Sequence, residues 1–180
     1  MLHFQVALLR GINVGKAKRI AMADLRKIVE GLGYGDVTTL LNSGNIVFST
    51  PKTAAGNAAS RIEKAIADET GVSSRVTVIS AAELAAAIAE NPLLGVADNT
   101  SRLMVGVLSD PEDRVKLRPL TKQDWAPDAL AIGTRVVYYW CPNGILESKL
   151  AVAVGRALGD AVTTRNWATM LKLHELTKKS

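Results

Sequence analysis

Residues 36–50, DVTTLLNSGNIVFST, read as two strands about a tight turn. Glycine and asparagine tolerate the positive φ that hairpin turns need, which puts the turn at Ser43-Gly44-Asn45. Pro51 then ends the second strand, because proline cannot donate to a ladder. A hairpin at this point, with no helix between the strands, decides the topology. Upstream, HFQVALLR (3–10) is apolar with few polar interruptions, as a strand buried on both faces would be. In MADLRKIVEGLG (22–33), Met22, Leu25, Ile28, Val29 and Leu32 recur at helical spacing, and Gly33 and Gly35 stop the helix. Downstream, Ala58, Ala59, Ile62, Ala65 and Ile66 mark one face of a helix over 54–69, closed by Gly71, and SRVTVIS (74–80) is a fourth strand. The order β-α-β-β-α-β is that of the split βαβ, or ferredoxin-like, unit, here over residues 1–80.

SAAELAAAIAENP (80–92) reads as a linking helix, with Ser80 as N-cap, Glu83 three residues on and Pro92 past its end. Residues 81–100 are therefore assigned to a linking helix and loop. Residues 101–180 repeat the theme. RLMVGVLS is a strand, and DPEDRVKLRPL is a short helix with Pro111 and acidic residues in its first turn. DALAIG and RVVYYWC pair about Gly133-Thr134, ILESKLAVAVGRALG is a helix ending at Gly159, and DAVTTRNW holds a short last strand. A terminal helix follows, with Trp167, Met170, Leu171 and His174 on one side. The expected fold class is α+β, as two tandem ferredoxin-like (α-β plait) units packed together.

Bulk composition supports a full core. Of 180 residues 48% are hydrophobic and only 4% aromatic, so aliphatic side chains must fill it. The net charge of +5, from 22 Lys plus Arg against 17 Asp plus Glu, is uneven: residues 1–50 and 111–180 are basic and 51–110 slightly acidic. That asymmetry permits an anionic partner without requiring one. The single cysteine, Cys141, excludes an internal disulfide and suits a reducing compartment. The N-terminus lacks the pattern of a signal peptide, and no apolar run approaches the roughly 20 residues of a membrane span. A soluble cytoplasmic protein, with no membrane partner, is the expectation.

LLRGINVGKAKRI (8–20) resembles a nucleotide-binding loop only superficially. Gly11 and Gly15 have three residues between them where a P-loop has four, and Lys16 is followed by Ala17, so the metal-binding hydroxyl is missing. Nucleoside-triphosphate hydrolysis by this loop is rejected. Consecutive backbone N–H groups in such a loop can still form an anion-binding nest, with Arg10, Lys16, Lys18 and Arg19 raising the potential. The competing reading is that the glycines merely turn the chain.

Three fragments together, ALLRGINVG (7–15), SGNIVF (43–48) and TTRNWATMLKL (163–173), resemble the signature segments of the domain of unknown function 1697 family. Met22, SKL (148–150) and the chain length agree. The resemblance implies a bacterial cytoplasmic protein of tandem α-β plaits with no assigned reaction. Lys16 stands where that pattern usually has a second glycine. The polar positions of the motifs fall on Arg10, Asn13, Ser43, Asn45, Ser148, Lys149, Thr164, Arg165 and Asn166, at strand ends and turns where sites are commonly built. The candidate ligand-binding set is therefore Arg10, Asn13, Lys16, Ser43, Asn45, Lys149, Arg165 and Asn166. If the chain ends approach each other, Arg10, Lys149 and Arg165 line one basic pocket. Each position also has a scaffold reading: Gly44-Asn45 for the hairpin, Thr163 or Thr164 as a helix cap, Asn166 against buried backbone groups.

No catalytic motif, metal site or cofactor is indicated. His3, His174 and Cys141 lack zinc-ligand spacing, and Cys141 has no evident base partner. The function expected is binding of a small anionic, phosphate-bearing metabolite at the loop after the first strand and the TTRNW segment. The alternatives are a nucleic-acid binder using a basic face, or a protein-interaction module using sheet edges or the Ala-rich helix over 81–90. Base stacking would need exposed aromatics, for which Phe4, Phe48, Tyr138, Tyr139 and Trp140 are the candidates.

Overall fold

A computed structural model describes residues 2–178. The chain divides into two compact units, residues 2–81 with 175–178 and residues 82–174. The first runs β1 (Leu2–Leu9), α1 (Met22–Gly31), β2 (Gly35–Leu40), β3 (Asn45–Pro51), α2 (Ala58–Thr70) and β4 (Val76–Ser80). Its four strands form one antiparallel sheet in the order β2-β3-β1-β4. Val6 to Leu9 of β1 are fully buried, as their unbroken apolar run requires of a central strand. Ala7, Leu9, Ile46 and Phe48 share one face of the sheet. Against them pack Leu25 and Val29 of α1 and Ile62 and Ile66 of α2, all fully buried. Each such aliphatic side chain stabilises by roughly 1.5–3 kcal/mol relative to exposure.

The second unit takes in α3 (Ala81–Ala89) from its second residue and continues with β5 (Leu103–Leu108), a 3-10 helical crossover (Pro111–Lys122), β6 (Ala129–Ile132) and β7 (Val136–Trp140). Then come a short 3-10 turn (Ile145–Glu147), α4 (Lys149–Leu158), β8 (Val162–Asn166) and α5 (Trp167–Thr177), whose last residues count with the first unit. The sheet is again four-stranded and antiparallel, in the order β6-β7-β5-β8. On one face Leu108, Val137, Tyr139 and Val162 pack with Leu150, Val154 and Leu158 of α4 and Leu117 of the crossover. Gly106 lies on that face, where a Cβ would come within 2.8 Å of Val137 and Val162, so only glycine fits. On the other face the Tyr138 hydroxyl donates to Ala87 O of α3 at 2.6 Å. Both halves are thus mixed α+β with the same strand order, as the sequence predicts at that level.

Several local expectations need correction. The β2–β3 turn is Leu41-Asn42-Ser43-Gly44, with positive φ at Leu41 (60°) and Gly44 (87°). Asn45 is the first residue of β3 and fully buried. The crossover over 111–122 is a 3-10 helix, and it contains Pro119, which has no N–H to give a regular α-helix. The helix read over 145–159 is interrupted at Ser148. Its Oγ accepts from Ala151 N at 2.9 Å and donates to Asp128 Oδ2 at 2.6 Å, so α4 starts only at Lys149. Neither Thr163 nor Thr164 caps the last helix, because both lie inside β8. Asn166 is the cap, its Oδ1 accepting from Thr169 N at 2.9 Å. The buried side of that helix is Trp167, Met170 and Leu173, with Leu171 only partly covered.

Candidate functional site

Three connections meet at one end of the first sheet: residues 10–21 after β1, 41–44 between β2 and β3, and 71–75 before β4. Backbone bonds tie them together. Leu9 N donates to Gly44 O at 2.9 Å, and Arg10 N to Arg75 O at 2.9 Å. The Ser74 hydroxyl donates to Arg10 O at 3.0 Å, and Lys18 Nζ to Ser73 O at 3.0 Å. Gly44 packs so closely that a Cβ there would lie 2.9 Å from Leu9 and from Ile12.

Asn13 is the staple of the long loop. Its Oδ1 accepts from Ile20 N, while its Nδ2 donates to Ile20 O and, at 2.8 Å, to Asn42 O. Asn13 N donates to Lys18 O at 3.0 Å, which closes the loop on itself. Ile12 and Ile20 bury their side chains in the core on either side of the staple. Between them φ is positive at Gly11 (70°), Asn13 (53°), Gly15 (62°) and Lys18 (51°). At 11, 13 and 15 the sign alternates with the intervening residues, the pattern that turns successive N–H groups toward one concavity. The N–H groups of Val14, Gly15 and Lys16 take no hydrogen-bond partner among the described residues, and all three residues are exposed.

The charged side chains of the three connections themselves are all basic. The three connections carry Arg10, Lys16, Lys18, Arg19 and Arg75, and no carboxylate. Arg10, Lys16, Lys18, Arg19 and Arg75 are all exposed. Arg75 was not singled out from the sequence, because only the β1–β4 pairing brings it beside Arg10. An anion at the tip would meet the N–H donors of Val14, Gly15 and Lys16 and the exposed side chains of Lys16 and Arg19.

The other sequence-predicted positions divide by role. Ser43 and Asn45 adjoin the loop, but the Asn45 amide donates to Leu40 O at 2.7 Å and Ser43 Oγ at 3.0 Å, so it holds the turn. Lys149 is exposed at the start of α4, beside a groove of about 670 Å³ that also has Trp125, Val152 and Arg156 in its wall. Arg165 lies in β8 opposite Val105, and its NH1 donates to Thr164 O at 3.0 Å. Burial pushes the Arg165 guanidinium down to about 10, still cationic at neutral pH. Alternation along β8 settles where it points. The Thr164 hydroxyl meets Tyr139 OH at 3.1 Å on the face that α4 covers, so Arg165 belongs to the opposite face. The sheet therefore separates Lys149 from Arg165, and these two do not line one pocket. Asn166 is committed as the α5 cap.

Of the stacking candidates Phe48, Tyr138, Tyr139 and Trp140 are buried and Phe4 is half-buried, so that set gives neither sheet a platform of two or more exposed aromatics. Cys141 is fully buried, and burial raises its thiol pKa, the reverse of an activated nucleophile. Among the described residues no group of three His, Cys, Asp or Glu is placed to hold a metal ion, and no helix is long and apolar enough to cross a membrane.

The sequence matches the family described as protein of unknown function (DUF1697) over residues 2–138. The chain belongs to the DUF1697 family. The match takes in Arg10, Asn13, Lys16, Ser43 and Asn45 and stops before Lys149, Arg165 and Asn166. No curated protein matches the DUF1697 chain in sequence. Among solved structures it is similar to the conserved bacterial protein SP0830 from Streptococcus pneumoniae, at 19% identity and a TM-score of 0.76, over 98% of this chain and 99% of that one. At that identity the likeness speaks for the fold alone.

Proposed function

We propose that this DUF1697 protein binds a small phosphate-bearing anion at the loop after β1, presented by a ferredoxin-like plait. The observation that carries the reading is the tip of that loop. Three successive N–H groups, at Val14, Gly15 and Lys16, are unpartnered among the described residues, in a loop that carries cations and no carboxylate of its own. The strand order β2-β3-β1-β4, with both crossovers helical, supports the plait assignment for the first unit, and the same order supports it for the second. In this account Asn13 shapes the loop and Lys16 and Arg19 meet the ligand. Ser43 and Asn45 hold the turn against which the loop rests. A buried, lone Cys141 accords with a reducing cytoplasm. A small anion is favoured over nucleic acid because four of the five strand aromatics, Phe48, Tyr138, Tyr139 and Trp140, are buried.

Calorimetric titration with pyrophosphate and inorganic phosphate at low salt tests this. Lys16 and Arg19 make no side-chain hydrogen bond or ion pair among the described residues, so their joint replacement by Ala should leave folding intact. The expected result is binding by the wild type and a loss of at least about tenfold in the double variant. Absence of binding, or equal binding by both proteins, contradicts the proposal. A steep salt dependence with oligonucleotides but none with pyrophosphate would shift the reading to nucleic acid.

A further inference from the structure

A separate cavity lies within the other unit and uses none of the residues of the loop after β1. It has a volume of about 450 Å³, within the usual range of small-molecule sites. Its wall draws on three separate segments. Glu90 stands just past α3, Arg114 and Arg118 on the 3-10 crossover, Thr134 in the β6–β7 turn and Tyr138 on β7. An adjoining recess of about 250 Å³ shares Glu90, Thr134 and Tyr138 and is otherwise bounded mainly by Ala86, Ala87 and Val136. Its charged boundary is already neutralised, since Arg135 NH1 holds Glu83 Oε1 at 2.8 Å.

The charges of the larger cavity are not neutralised. The side chains of Glu90 and Arg118 make no ion pair or hydrogen bond among the described residues. Arg114 makes only a long contact, NH1 to Thr134 O at 3.4 Å. A carboxylate and two guanidiniums therefore line one concavity without bonding to each other. The floor between them is fixed, because the buried Tyr138 ring is anchored through its hydroxyl to Ala87 O.

We propose that this cavity binds a free α-amino acid with an apolar side chain. The Arg114 and Arg118 forks take the carboxylate, Glu90 takes the ammonium, and the side chain enters the recess beside Ala86, Ala87 and Val136. Guanidinium geometry matches a carboxylate through two parallel N–H donors. A simple anion would leave Glu90 facing a like charge, and a simple amine would leave the arginines unanswered. A zwitterion satisfies both ends, and the small apolar walls leave room for an aliphatic substituent.

Calorimetry on the full chain with L-leucine decides the matter. Isoamylamine, which lacks the carboxylate, and 4-methylpentanoate, which lacks the ammonium, are the controls. L-leucine is expected to bind, with each control at least about tenfold weaker. Arg118→Ala and Glu90→Gln should each weaken L-leucine at least about fivefold with unchanged melting temperature. The Lys16 and Arg19 double variant should bind it as the wild type does, which separates this site from the anion loop. The proposal is overturned if none of L-leucine, L-valine and L-phenylalanine binds, if 4-methylpentanoate binds as tightly as L-leucine, or if both variants retain full affinity.

Discussion

The Asn13 carboxamide bonds the Ile20 backbone through both of its ends, Oδ1 accepting from Ile20 N and Nδ2 donating to Ile20 O, each at 2.9 Å. This pair closes the loop between β1 and α1 as a strand pairing would, with a side chain standing in for backbone. Asn13→Ala removes these bonds and the one to Asn42 O, and it leaves alanine at φ 53°. At about 0.5–1.5 kcal/mol net for each hydrogen bond, a loss of roughly 2–4 kcal/mol is expected by urea denaturation. Asn13→Gly relieves the backbone strain but not the lost bonds, so it should fall between the two. Equal stability of Asn13→Ala and wild type would remove the staple from the account.

Tyr138 gives the protein an alkaline signature. Burial, with the Glu90 carboxylate adding to it, pushes its phenol up to about 12. In the unfolded chain the group ionises near 10. Between those values the unfolded state has released a proton that the folded state retains, so stability is complete below about pH 10 and falls as pH rises toward 12. The loss should approach, but not exceed, about 3 kcal/mol at 1.36 kcal/mol per unit. Tyr138→Phe should flatten this dependence while costing about 1–2 kcal/mol at neutral pH, since Ala87 O loses its donor. Urea midpoints measured from pH 8 to 12 for both proteins check it, and an equally steep fall in Tyr138→Phe refutes it.

The cap of α5 distinguishes neighbouring polar residues that look alike in the sequence. Asn166→Ala should cost about 1 kcal/mol, the usual value of an N-cap. Thr163→Ala removes no cap and should not shorten α5. Thermal melts together with amide exchange over 167–170 separate the two, and comparable loss of α5 protection in both variants would contradict the assignment.

What the sequence revealed depended on how local the signal was. The two β-β hairpins and the helices between strands were legible because glycine, proline and apolar spacing act over a few residues. Gly71 ends α2 in the left-handed conformation as its position implies. Asn45 looks like a turn residue in the sequence, whereas its amide bonds Leu40 O from inside β3, so the turn ends one residue earlier, at Gly44. Ser148 reads as part of a continuous helical pattern; its cap bond to Ala151 N is local, but the Asp128 carboxylate that accepts from its hydroxyl lies twenty residues away. The site was legible in part. Asn13 and the basic loop stood out within one stretch, but Arg75 joins them only through sheet pairing. Glu90, Arg118 and Tyr138 come together across three elements, and no spacing in the chain announces that.

In the proposed complex the N–H groups of residues 14–16 face the anion. This is tested most directly by following backbone amide resonances while pyrophosphate is added to ¹⁵N-labelled protein. The Val14, Gly15 and Lys16 amides are expected to shift first and saturate together, and the Lys16 and Arg19 double variant to lose that saturation. Saturable shifts elsewhere with these three unmoved, or no saturable shift at all, would contradict it.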